Sequence, residues 1–101
     1  TDCSGFIMTV VNDVAGIKLP RNSAMQSEFC AEIKRKDLKP CDLVFFATGK
    51  STYKISHVGM MIDNDNFIHA SSSKGVVISK LSSNYYTSRL IKCGRIPNLN
   101  N

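Results

Sequence analysis

The chain has 101 residues, 43% hydrophobic and 21% charged, with 13 Lys and Arg against 8 Asp and Glu for a formal net charge of +5. That length and ordinary composition exclude a two-domain chain, a disordered tail, a collagen and a coiled coil, and the longest apolar runs, Leu43–Ala47 and Val58–Ile62, fall far short of the ~20 residues of a membrane span. The positive balance suits an anionic partner, but no basic stripe interleaves with aromatics as single-stranded nucleic acid requires.

Turn signals divide the chain into short elements. After Asp2-Cys3-Ser4-Gly5, apolar residues at 6, 7, 10, 11 and 14 have the period of an amphipathic helix, and Gly16 stands where a helix stops. Ser23 and Gln26 form an S-x-x-Q capping box that predicts a second helix. Met25, Phe29 and Ile33 recur along it every four residues, Met25 and Phe29 reading as core, with Lys34-Arg35-Lys36 at its solvated end. Leu38–Asp42 reads as a turn into a strand at Leu43–Ala47, where Phe45 and Phe46 are expected in the core. Further strands are expected at Ile55–Ile62, Phe67–Ser71, Gly75–Leu81 and Leu90–Ile96, the first two of these joined through Asp63-Asn64-Asp65-Asn66. Tyr85 and Tyr86 are candidates to line a groove, but they read rather as a buried or edge-strand pair. Helices first and strands after predict an α+β fold with a mainly antiparallel sheet. Four cysteines, Cys3, Cys30, Cys41 and Cys93, are too few for a disulfide scaffold, and Cys30 reads as a buried thiol.

Three residues carry chemistry. Cys3 precedes a helix, where free backbone amides and the positive end of the helix dipole favour the thiolate, the nucleophilic form. The same amides are placed to bind an oxyanion. His57 and His69 are the only histidines and lie in strand-like runs. Successive strand residues alternate between faces, so the two histidines share a face only if cross-strand partners have an even number sum. That demands a connection of odd length, a three-residue turn with a G1-type bulge or a five-residue one; a two-residue turn separates them. Pairing Gly59 with His69 sets His57 on the diagonal, within side-chain reach, and Gly59 clears space beside His57. A thiol, a base beside it and a group that orients the base are the parts of nucleophilic catalysis, and Cys3, His57 and His69 fill those roles in that order.

On these residues the sequence resembles the NlpC-type cell-wall cysteine peptidases. Asp2-Cys3-Ser4-Gly5-Phe6 is similar to their nucleophile motif, and Leu38-Lys39-Pro40-Cys41-Asp42-Leu43-Val44-Phe45-Phe46 to their L-x-P-G-D-L-V-F-F segment. His57-Val58-Gly59-Met60-Met61 and Phe67-Ile68-His69-Ala70-Ser71 resemble their H-V-G-I-Y and F-I-H-A-S strands, and Leu19-Pro20-Arg21-Asn22-Ser23 with Gln26 resembles L-P-R-T-S-x-x-Q. The resemblance implies a single papain-like catalytic domain over 1–101, its nucleophile helix packed on the sheet. It implies hydrolysis of stem-peptide amide bonds in peptidoglycan, the γ-D-glutamyl to diaminoacyl linkage among them. Cys3, His57 and His69 are then the catalytic residues, and Asp2, Ser4, Ser56 and Gly59 the expected substrate contacts. No metal or cofactor, no nucleic acid, a monomer, and a location in the cell envelope or outside the cell are expected.

Three departures stand out. The family's tyrosine-containing segment upstream of the cysteine has no counterpart here, so the domain is expected to be truncated at its N-terminus. Cys41 replaces the glycine of the P-G-D turn and is strained if that position has positive φ. Met60-Met61 stands where aromatics are common. A variant chemistry passes the acyl group to an amine instead of water. Two readings from other classes remain: a non-catalytic wall-binding relative, and a Cys/His zinc module, the latter without any C-x2–4-C pair.

Overall fold

A computed structural model describes residues 2–99. Asp2 is the N-cap of α1 (Cys3–Ala15), its carboxylate accepting the Gly5 amide at 2.7 Å. Gly16 ends the helix in the left-handed conformation, φ 68°, its amide on the Asn12 carbonyl. Ile7 and Val11, one turn apart, are fully buried, whereas Val14 is turned out to solvent at 83% exposure. The buried stripe is therefore narrower than the apolar spacing predicts.

The second helix, α2 (Ser23–Phe29), starts differently from expectation. Asn22 is its N-cap and accepts the Met25 amide at 2.8 Å, so Ser23 is its first helical residue. Gln26, fully buried, does not reach back to the cap; its amide donates instead to the carbonyls of Ser4 and Pro20. Met25 and Phe29 are 51% and 41% exposed, not core. The helix ends at Phe29, and Ile33 belongs to β1 (Ala31–Ile33), a strand that the four-residue recurrence masks. The basic cluster is no helix end: Lys34 precedes a one-turn 3-10 helix (Arg35–Asp37).

The other strands are β2 (Leu43–Phe46), β3 (His57–Met61), β4 (Asn66–Ser71), β5 (Gly75–Lys80) and β6 (Leu90–Arg95), with a short α3 (Asn84–Thr87) before the last. They form one sheet in the order β1-β6-β2-β3-β4-β5, every pairing antiparallel. The fold class is thus α+β as expected; β2 to β6 fall within or beside their predicted runs, and β1 stands where a helix was expected. Alternation along the strands sorts the core into two layers. Leu43, Phe45, Val58 and Met60 meet Ile7 and Val11 of α1 on one face. Val44, Phe46, Met61 and Phe67 meet Leu81, Cys93, Leu90 and Tyr86 on the other. Covered on both sides, all four residues of β2 are buried.

The turn into β2 holds a strained residue. The Asp42 amide bonds the Lys39 carbonyl at 3.1 Å, Pro40 sits at the second position and Cys41 at the third with φ 77°. This is the type II arrangement, whose third position favours glycine. Asp42 is 1% exposed and is neutralised by Arg95, whose Nε and Nη2 donate to its two oxygens at 2.9 and 2.8 Å.

Candidate active site

The strands bring the two histidines together. β3 and β4 pair Met60 with Ile68 and Met61 with Phe67, both even sums, and the Ile62 amide closes on the Asn66 carbonyl at 2.9 Å. Only residues 63–65 lie between those two. The connection has the required odd length but no bulge: no residue in it has positive φ. The Asp63 carboxylate shapes it instead, accepting the Asn66 side-chain amide and the backbone amides of Asp65 and Asn66, which hold its pKa down to about 2.

His57 and His69 consequently share a face. His57 Nε2 lies 2.9 Å from His69 Nδ1, the rings nearly perpendicular, and His69 Nε2 lies 2.8 Å from the Ser79 hydroxyl on β5. His69 is 1% exposed. Burial, with a smaller contribution from His57, pushes its pKa down from 6.5 to about 4, and burial also lowers that of His57. Both shifts favour the neutral ring. Phe67 lies against His69 at 4.7 Å between centroids, and Tyr86 stands edge-on to both.

Gly59 makes this packing possible, though not as expected. A Cβ there would lie 2.4 Å from Phe67 Cδ2. The space beside the glycine is filled by the Phe67 ring, and Gly59 is buried and does not line the cleft.

The helix supplies the thiol. Cys3 is the first residue of α1, half-buried, with its Sγ 3.9 Å from the Ser56 carbonyl, one residue before His57. Among the described residues no hydrogen bond joins the thiol to His57. Asp2 uses the Gly5 amide and accepts the Ser4 hydroxyl at 3.4 Å. The Cys3 amide stands at the helix start, where backbone amides have no partner within the helix. Ser4 itself is 6% exposed and turned away from the cleft, where the Gln26 amide holds its carbonyl at 3.1 Å. Ser56 lines the cleft, but its hydroxyl closes the 48–56 loop, bonding Thr48 and the Gly49 amide.

Asp2, Cys3, Ser56, His57 and His69 thus line one open cavity of about 780 Å³, and Ser4 and Gly59 do not. Sequence reasoning missed one of its walls, Ser79, and ranked another second: Tyr85 and Tyr86 sit on α3 and line the cavity, the alternative set below an edge-strand pair. The missed signal for Ser79 is parity again. Phe67 pairs with Ser79 and His69 with Val77, so Ser79 lies on the histidine face of β5. A second hollow of about 650 Å³, between β1 and β6, brings no base to a thiol; its Cys93 is buried and its pKa is pushed up to about 11 by that burial. Among the described residues no three of His, Cys, Asp and Glu come together as a metal site, which leaves the zinc reading without a ligand set. No described helix is long and apolar enough to cross a membrane.

A family model described as NlpC/P60 family matches residues 1–95. The chain is 37% identical over 95 residues to the Escherichia coli murein DD-endopeptidase MepS/murein LD-carboxypeptidase, covering 94% of this chain and 49% of that protein. It is 38% identical over 100 residues to the Bacillus subtilis gamma-DL-glutamyl hydrolase, covering 97% and 24%. It thus spans half or less of either relative. A crystal structure of an NlpC/P60 family protein from Bacillus cereus superposes with a TM-score of 0.84 at 33% identity, covering 93% of this chain and 31% of that one.

Proposed function

The chain belongs to the NlpC/P60 family, and on that premise we propose that it is a cysteine peptidase of the cell envelope that hydrolyses amide bonds in peptidoglycan stem peptides. The observation that carries this reading is the placement of Cys3, at the start of α1, in the same cavity as a histidine pair joined at 2.9 Å. In the proposed reaction the Cys3 sulfur leaves the Ser56 carbonyl for His57. With Nε2 turned to His69, the nitrogen of His57 that is left for the thiol is Nδ1. His57 takes the thiol proton, and the thiolate attacks the amide carbonyl. The Cys3 amide and the helix dipole stabilise the oxyanion. As the C–N bond breaks, His57 gives its proton to the departing amine and an acyl-thioester remains. Water, deprotonated by His57, then cleaves the thioester, and the products are a carboxylic acid and an amine.

We propose the bond between γ-D-glutamate and the diamino acid as the one cleaved; the Bacillus relative is named a gamma-DL-glutamyl hydrolase, the Escherichia relative a murein DD-endopeptidase and LD-carboxypeptidase, and the D-alanyl bond of the cross-link is the competing site. Purified muropeptides that contain both bonds test this. Digestion followed by mass spectrometry is expected to yield fragments cut after γ-D-glutamate with the natural protein and none with Cys3→Ala. Cuts only at the D-alanyl bond would reassign the specificity. Wall binding with no cleavage by either form would establish the non-catalytic reading.

A further inference from the structure

Resting on the Cys–His reading above, we propose that Ser79 is a positioning residue of the site, selecting the tautomer of the His57–His69 pair in which His57 can act as a base. Two neutral imidazoles facing each other through His57 Nε2 and His69 Nδ1 share one proton between those atoms, and only one of the two arrangements is productive. If the proton sits on His57 Nε2, Nδ1 of His57 is a free lone pair for Cys3. His69 then carries its own proton on Nε2. If the shared proton sits on His69 Nδ1, the His57 proton is on Nδ1 and no base faces the thiol.

The productive arrangement needs an acceptor at His69 Nε2. That ring is 1% exposed, so water is no substitute, and the group 2.8 Å away is the Ser79 hydroxyl. A hydroxyl can accept or donate, so what decides is where its own proton goes. In the productive arrangement the hydroxyl accepts from His69 Nε2–H, its own proton is directed away from the ring, and polarity runs outward from His57 through His69 to Ser79.

Every ionisable group around the pair is consistent with this assignment. α1 presents Asp2 and Cys3, the β4–β5 turn Lys74, and α3 Tyr85 and Tyr86. Asp2 is the cavity's one carboxylate and caps α1, so no acid is placed to orient His69. When His57 gains the thiol proton, both its nitrogens carry hydrogen, and only the outward polarity survives. Ser79 therefore supports the charged form of His57 as well as its reactive neutral form.

The test is nitrogen-15 NMR of the two imidazoles at neutral pH, combined with kinetics of Ser79→Ala and Ser79→Thr. In the natural protein His69 is expected to be protonated on Nε2 and His57 on Nε2. Ser79→Ala is expected to move the His69 proton to Nδ1 and the His57 proton to Nδ1. It should lower kcat by on the order of tenfold with KM nearly unchanged, the cost of one lost buried hydrogen bond, while Ser79→Thr restores both. His69 protonated on Nδ1 in the natural protein overturns the proposal, whatever the variants do. So does a Ser79→Ala protein with unchanged tautomers and kcat. If no form cleaves any muropeptide, the peptidase reading has failed, and the tautomers still decide the role of Ser79.

Discussion

The two halves of the cleft are held in different ways. The histidine half is built on the sheet: His57, His69 and Ser79 come from three adjacent strands, His57 bonding His69 and His69 bonding the Ser79 hydroxyl. Phe67, Phe46 and Tyr86 wedge the rings from the side. The thiol half hangs on the end of a helix, fixed by one cap at Asp2 and one brace from Gln26. The base is thus fixed by cross-strand register, which cannot slip without turning every side chain to the other face. In the proposed mechanism the thiol, 3.9 Å from the Ser56 carbonyl, turns to His57 while the histidine pair stays in place.

That contrast sets an order of effects. Removing the thiol is the most severe change: Cys3→Ala is expected to reduce stem-peptide turnover by at least ~10³-fold while leaving thermal stability nearly unchanged, as paired activity and melting measurements will show. On the sheet side, acid is the sharper probe. His69 has a folded pKa of about 4 against 6.5 when unfolded, so its contribution is fully present above pH 6.5 and is lost as pH falls towards 4. Urea denaturation is expected to lose up to about 3 kcal/mol from this group over that window. A His69→Asn variant, unable to take up the proton, should show a flatter profile. A Cβ at Gly59 strikes the Phe67 ring directly, and Gly59→Ala is expected to destabilise by about 1–3 kcal/mol and to disturb both imidazole signals. Asp2→Ala removes only a helix cap: about 1 kcal/mol of stability, with the His57 and His69 resonances unmoved. If Asp2→Ala shifted those resonances as much as Gly59→Ala, the two halves would not be separately held.

Much of this was legible because strands obey a strict alternation. The parity of 57 and 69 dictated an odd connection, and the 63–65 turn supplies it. The same argument, carried one hairpin further, would have reached Ser79. Helix details were less legible. The cap at Asn22 stands one residue ahead of the S-x-x-Q pattern, because Gln26 is drawn inward by the carbonyls of Ser4 and Pro20. Tertiary contacts overrode a local preference there. Met25, Phe29 and Ile33 kept helical spacing across a chain that turns into a strand at Ala31, so period alone misplaced the boundary. The strain expected at Cys41 is present, with φ 77°, since the turn requires it whatever residue stands there. The groove-lining role of Tyr86 ranked second in the sequence because it rests on ring contacts with Phe46, Phe67 and His69, which no linear pattern records.

The central claim is that His57 serves the Cys3 thiol. Alkylation of the four cysteines between about pH 5 and 9, followed by peptide mass spectrometry, tests it directly on the natural protein and on His57→Ala. Burial holds the Cys30 and Cys93 thiols at pKa values of about 11, which keeps them slow internal standards. The account predicts that Cys3 is labelled fastest, already below pH 7, and that it loses this advantage in His57→Ala. A Cys3 that reacts no faster than an ordinary exposed thiol, or one whose rate is indifferent to His57, would contradict it.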